Sequence, residues 1–127
     1  MLEPADRFAI CELLALYGHL IDERRWADLG QVFCLDAIYD FTDFGERVTT
    51  SLEELIALWT REGARHPLAH HASNIVVTEG SDGTAEVVSK GLAVGTNGRV
   101  SSIRYQDTVI RTRAGWRIAT RTAVLRR

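Results

Sequence analysis

Apolar positions recur at helical spacing through the first half of the chain and alternate at strand spacing through the second. Ile10, Leu13, Leu14, Tyr17, Leu20 and Ile21 form one stripe, which predicts an amphipathic helix from about Pro4 to Ile21. Pro4 suits its first turn, where a missing N–H costs nothing. A shorter helix over Trp26 to Phe33 would turn Leu29, Val32 and Phe33 inward. Ile38, Tyr39 and Phe41 suggest a short strand within Asp36 to Phe44. Ser51-x-x-Glu54 then reads as a capping box, opening a helix with Leu52, Leu55, Ile56 and Trp59 on its apolar face. Pro67 closes the connection that follows.

Beyond Pro67 the pattern is one of strands and turns. His70–Thr78, Thr84–Val94, Val100–Arg111 and Trp116–Leu125 are separated by Asp82-Gly83, Asn97-Gly98 and Ala114-Gly115, an antiparallel meander in outline. Such a sheet buries one face. Ile103, Tyr105, Asp107 and Val109 share a face, and Arg104, Gln106, Thr108 and Ile110 share the other. The apolar company of the first set, with Trp116 and Ile118 next door, turns it toward the helices. The expectation is an α+β fold, residues 1–127 forming a single domain. Asp107 then faces inward, where a carboxylate needs a partner or a wet cavity.

Composition fits that picture: 46% hydrophobic and 25% charged residues allow a packed core. The arginines from Arg99 to Arg127 sit on strands and turns, and a net charge of −2 with no docking motif argues against a nucleic-acid partner. Cys11 and Cys34 form no Cys-x-x-Cys pair and read as buried free thiols in a reducing compartment. No apolar run reaches the length of a membrane span, roughly 18–20 residues, and the N-terminus lacks a signal-peptide pattern. The expected location is the cytoplasm.

The sequence carries no Gly-rich phosphate loop, nucleophile elbow or metal-ligand spacing. His70 and His71 are neighbours on one strand, so they point to opposite faces and cannot ligate one metal together. One of them must point inward, and the chemistry this permits is acid–base work by a buried histidine. His19 and His66 read as surface residues.

The order Tyr17-x4-Asp22, Trp26, Phe33-x2-Asp36-Ala37, the helix after Ser51, His71-x-x-Asn74, Tyr105-x-Asp107 and Gly115-Trp116-Arg117-Ile118-x-x-Arg121 resembles the SnoaL-like family. That family belongs to the nuclear-transport-factor-2-like superfamily, with scytalone dehydratase, bile acid 7α-dehydratase and polyketide cyclase relatives. The resemblance implies a cone-shaped α+β barrel, its N-terminal helices packed in a strongly curved antiparallel sheet with a pocket at the open end. It implies a cofactor-independent, metal-free lyase or isomerase of the dehydratase or cyclase type, taking a proton from beside a carbonyl on a hydrophobic, ring-containing small molecule. In that reading His71 is the base, Asp22 its partner and Tyr17 the carbonyl donor, although helical periodicity puts Asp22 about 140° from Tyr17, off the apolar stripe.

Tyr39, Trp59, Tyr105, Asp107 and Arg121 are the further candidates for contact with the substrate. The stretch from Leu92 to Asn97, where the dehydratases carry a second acid–base residue, holds no ionisable group, and Asp107 is the candidate substitute. Arg121 matches a family arginine, yet strict alternation sets it opposite Trp116 and Ile118, so an inward Arg121 requires a bulge. The alternative reading is a non-catalytic ligand-binding domain or an accessory subunit, like the small β-subunit of ring-hydroxylating dioxygenases. The resemblance also implies a homodimer through the outer sheet face.

Overall fold

The computed structural model describes residues 1–62 and 65–127. Helix α1 (Pro4–Asp22) begins with Pro4 in its first turn and a reciprocal Glu3–Asp6 cap, in which Asp6 accepts a hydrogen bond from the Glu3 N–H at 2.9 Å. Its stripe from Ile10 to Ile21 is buried, as the periodicity predicts. A 3₁₀ turn (Trp26–Gln31) follows in place of the predicted second helix. Phe33, expected to end that helix, instead starts strand β1 (Phe33–Asp40), so the strand lies a few residues earlier than its alternation suggests. Helix α2 (Leu52–Glu62) opens at the predicted cap: the Glu54 N–H donates to Ser51 Oγ at 3.1 Å, and the Thr50 N–H donates to Glu54 Oε2 at 3.3 Å.

Strands β2 (Ala69–Glu79), β3 (Ala85–Val94), β4 (Val100–Thr112) and β5 (Gly115–Leu125) form the expected antiparallel meander. Strand β1 adds to it in parallel beside β5, giving the order β1-β5-β4-β3-β2. The two edge strands do not pair, so the sheet is curved and open rather than closed into a barrel. Its concave face holds α1 and α2, with α1 against β2 and α2 against β1. Ile103, Tyr105, Asp107, Val109, Trp116 and Ile118 are all buried on that face.

Bulges in β2 and β5 interrupt the alternation there. On β2, Ser73 pairs with Lys90 and Val76 with Val88, so two residues of β2 stand opposite one of β3. Asn74 takes a left-handed φ of 53° within it, a conformation that asparagine tolerates better than most residues. On β5, Thr120 pairs with Thr108 but Ile118 with Val109, which leaves Ala119 as the extra residue. Each bulge exchanges the faces of the residues beyond it. Among the described residues no helix is long and apolar enough to cross a membrane.

Candidate functional site

The bulge in β2 decides which histidine enters the fold. Counted back from the buried Val77 with strict alternation, residues 75, 73 and 71 face inward. The extra residue near Asn74 reverses that count, and Ala72 and His70 pair with the inward Gly91 and Ala93. His71 pairs with the exposed Leu92 and is itself exposed. The structure therefore corrects the expectation for His71: of the two neighbours, His70 faces the cavity.

His70 is held firmly. Asp22, at the end of α1, accepts the His70 backbone N–H at 3.1 Å with Oδ2 and the ring Nδ1–H at 2.8 Å with Oδ1. This grip requires α1 to lie close to β2, and Gly18 makes the approach possible: a Cβ there would stand 2.7 Å from the His70 carbonyl oxygen. With Nδ1 protonated toward Asp22, Nε2 carries the free lone pair. Burial pushes the His70 pKa below its ordinary value, against the opposing pull of Asp22, so the ring favours the neutral form that can accept a proton. Asp22 thus joins the cavity paired with His70 rather than with the expected His71, by reaching across from the helix terminus rather than along the apolar stripe.

His70 opens on a cavity of about 310 Å³ lined by Tyr17, Tyr39, Trp59, Tyr105, His66 and Glu62, with Phe41, Phe44, Ala93, Ile103 and Ala123 completing the apolar wall. Tyr17, Tyr39, Trp59 and Tyr105 all line this cavity. The Tyr17 and Tyr39 hydroxyls are hydrogen bonded at 2.7 Å. One of the two protons is spent in that bond, and the other remains available for a ligand oxygen. Burial raises both phenol pKa values, which keeps them protonated as donors.

Asp107 and Arg121 lie behind these rings and do not line the cavity. The β5 bulge turns Arg121 inward, where Nε and Nη2 donate to the two Asp107 oxygens at 2.7 and 2.8 Å. Both side chains are at most 1% exposed. The guanidinium carbon stacks 4.3 Å from the Tyr17 ring centre and 4.1 Å from that of Tyr105. Neither side chain lies where the expected substrate contact would be made, and Asp107 is engaged by Arg121 rather than turned to the cavity. A buried carboxylate this close to an arginine is neutralised by pairing. Arg121 instead supports the tyrosines from behind and draws the Tyr17 pKa down against burial.

Sequence reasoning missed His66. It is 5% exposed, its ring centre 5.4 Å from that of His70 and 5.5 Å from those of Trp26 and Trp59. Burial, with the nearby His70 and Arg24, lowers its pKa to about 4. His66 lies between helix and strand, where no hydrophobic period reports burial. Glu62, at the end of α2, was missed as well; its pKa is raised, chiefly by burial and then by Glu46.

The family model described as SnoaL-like domain matches residues 3–122. Uncharacterized proteins of Mycobacterium tuberculosis and Mycobacterium bovis are 31% identical over 126 residues, covering 94% of this chain and 84% of theirs. A candidate aromatic ring hydroxylase from Novosphingobium aromaticivorans is 28% identical in sequence, with a TM-score of 0.78 over 98% of this chain and 92% of its own. A candidate scytalone dehydratase from the same organism has a TM-score of 0.78 at 19% identity, over 97% of this chain and 85% of its own, a likeness of fold alone. The open curved sheet, the helices in its concave face and a family match over nearly the whole length agree, and the chain belongs to the SnoaL-like family.

Proposed function

We propose that this protein is a lyase or isomerase, needing no cofactor, that removes or shifts a proton beside a carbonyl of a hydrophobic, ring-containing small molecule. The observation that carries the reading is the Asp22–His70 pair opening into an aromatic cavity beside the Tyr17–Tyr39 hydroxyl pair. Membership in a family with dehydratase relatives supports it. His70 Nε2 accepts the proton from carbon, while Asp22 holds the ring's orientation and stabilises the imidazolium that forms. The spare tyrosine O–H donates to the carbonyl oxygen, where negative charge grows as the C–H bond breaks. The apolar part of the wall favours a ring.

Proton abstraction can be tested before the natural substrate is known. In D₂O the protein should speed exchange of the protons beside the carbonyl of a bicyclic ketone such as 2-tetralone, followed by proton NMR. His70→Ala should reduce that exchange by roughly 100-fold or more, and His71→Ala should leave it unchanged. Equal exchange with His70→Ala would overturn the assignment.

A second reading is a ligand-binding or accessory subunit without turnover of its own. The absence of an ionisable group from Leu92 to Asn97 favours it. Co-purification with a large iron-containing partner, together with no exchange activity, would select it.

The outer sheet face carries Arg104, Gln106, Thr108 and Ile110 with the exposed Val76, Leu92 and Val124. We propose that a second copy covers it, making a homodimer in the cytoplasm. Light scattering should give twice the chain mass, and a monomeric mass would exclude the dimer.

A further inference from the structure

The cavity holds a second histidine that the proposed reaction has not yet used, and its surroundings define its protonation. Arg24 sits just past α1 with a left-handed φ of 56°. Its guanidinium donates to the carbonyl oxygens of Ile21 at 3.1 Å, Pro67 at 3.0 Å and His66 at 3.0 Å. These bonds fix the guanidinium against the segment that carries His66. Arg24 Nη1 also stands 3.4 Å from His66 Nδ1. The positive guanidinium beside Nδ1, with the Glu62 carboxylate on the Nε2 side of the ring, favours the tautomer that keeps the lone pair on Nδ1. The proton of the neutral ring then resides on Nε2.

The groups facing His66 are Arg24, His70 with Asp22 behind it, and Glu62. Glu62 Oε2 is 3.9 Å from His66 Nε2, too far for a hydrogen bond, so among the described residues Nε2 has no hydrogen-bond acceptor. Trp26 and Trp59 pack edgewise on the ring and hold its orientation. The ring lines the same cavity as His70 and the tyrosine pair.

We infer that His66 is a neutral hydrogen-bond donor to substrate, its Nε2–H directed at a ligand oxygen while His70 acts as base from the adjacent wall. Two histidines in one cavity thus have opposite roles, set by their partners. Asp22 accepts from Nδ1 of His70 and exposes a lone pair, whereas the Arg24 charge beside Nδ1 of His66 favours a proton on the exposed Nε2. A neutral imidazole suits this task because it stabilises developing negative charge without first competing with His70 for a proton. The ligand class that this selects is a hydrophobic ring bearing an oxygen that becomes anionic, with His66 and the tyrosine pair as its two sources of donors. The inference deepens the proposed function and rests on the cavity admitting such a ring.

The probe is 2-naphthol, whose ionised form mimics a ring enolate. Its binding would be followed by fluorescence for the wild type, His66→Ala and His66→Gln. His66→Ala should weaken binding about tenfold, the value of one hydrogen bond to a charged oxygen, and His66→Gln, which keeps a donor, should recover part of it. With ¹⁵N-labelled histidine, His66 of the wild type should show the Nε2–H tautomer near neutral pH, and that resonance should move on adding 2-naphthol. The NMR arm needs no variant to fold. A His66 that is charged or protonated on Nδ1, or unchanged affinity in His66→Ala, would overturn the inference while leaving the His70 assignment standing. Failure of 2-naphthol to bind the wild type would overturn the ring-binding reading and this inference with it.

Discussion

Replacing His66 by glutamine should remove a defined part of the protein's acid sensitivity. In the native state the His66 pKa is lowered from 6.5 to about 4, because burial and the neighbouring His70 and Arg24 oppose the charged ring. The unfolded chain has no such restraint and takes up the proton near the ordinary value. As pH falls below about 6.5, the unfolded state therefore binds more protons than the native state, and stability declines. The stabilising contribution is fully present above the unfolded pKa and is lost progressively as pH falls toward the folded pKa of about 4. Between about pH 7.5 and about pH 5 the loss from this one ring amounts to about 2 kcal/mol. That is a substantial share of a total stability of about 5–15 kcal/mol.

Urea unfolding at those two pH values, for the wild type and His66→Gln, isolates the effect. Other groups contribute to both proteins, so the quantity to compare is the change in stability with pH, not the stability itself. The wild type should lose about 2 kcal/mol more than the variant over this interval. A difference below about 0.5 kcal/mol would refute the claim that His66 is buried and neutral in the native state.

Four further substitutions bear on the site and its support. Asp107→Asn leaves the buried Arg121 guanidinium without a compensating charge and should cost about 3–5 kcal/mol in urea unfolding. Gly18→Ala would force α1 away from the His70 carbonyl; a loss of about 1–3 kcal/mol should accompany a weakened Asp22–His70 contact, visible in the His70 ring proton shifts. Asp22→Asn removes the charge that supports a protonated His70, so its titration by NMR should move to lower pH and the exchange of 2-tetralone protons should slow. Asn74→Val places a β-branched side chain at a left-handed position and should destabilise the bulge by about 1–2 kcal/mol; an unchanged unfolding midpoint would show that the bulge tolerates any residue.

The sequence by itself determined the two long helices, the meander strands and their order. Apolar residues at helical spacing predict α1 and α2, and alternation with Gly-containing turns predicts the meander, because each pattern reports which face of an element must leave water. The inward face of β4, Asp107 included, was legible for the same reason: its alternation is unbroken across the strand. The parallel pairing of β1 with β5 joins distant parts of the chain and leaves no local pattern.

The cavity's chemistry was decided by tertiary structure. Two single-residue bulges determine that His70 rather than His71 faces inward and that Arg121 does too, and alternation carries no record of an inserted residue until the strands are paired. The burial of His66 depends on Arg24 and two tryptophans drawn from separate segments. Periodicity reports burial only within regular elements, and His66 lies between them. The inward placement of Tyr17, Tyr39, Trp59 and Tyr105 was legible in their apolar stripes, whereas a pocket beside them was only what the family resemblance implied. The proposed difference between the two histidines, one offering a lone pair and the other an N–H, rests on what surrounds each Nδ1, a property of the folded contacts alone.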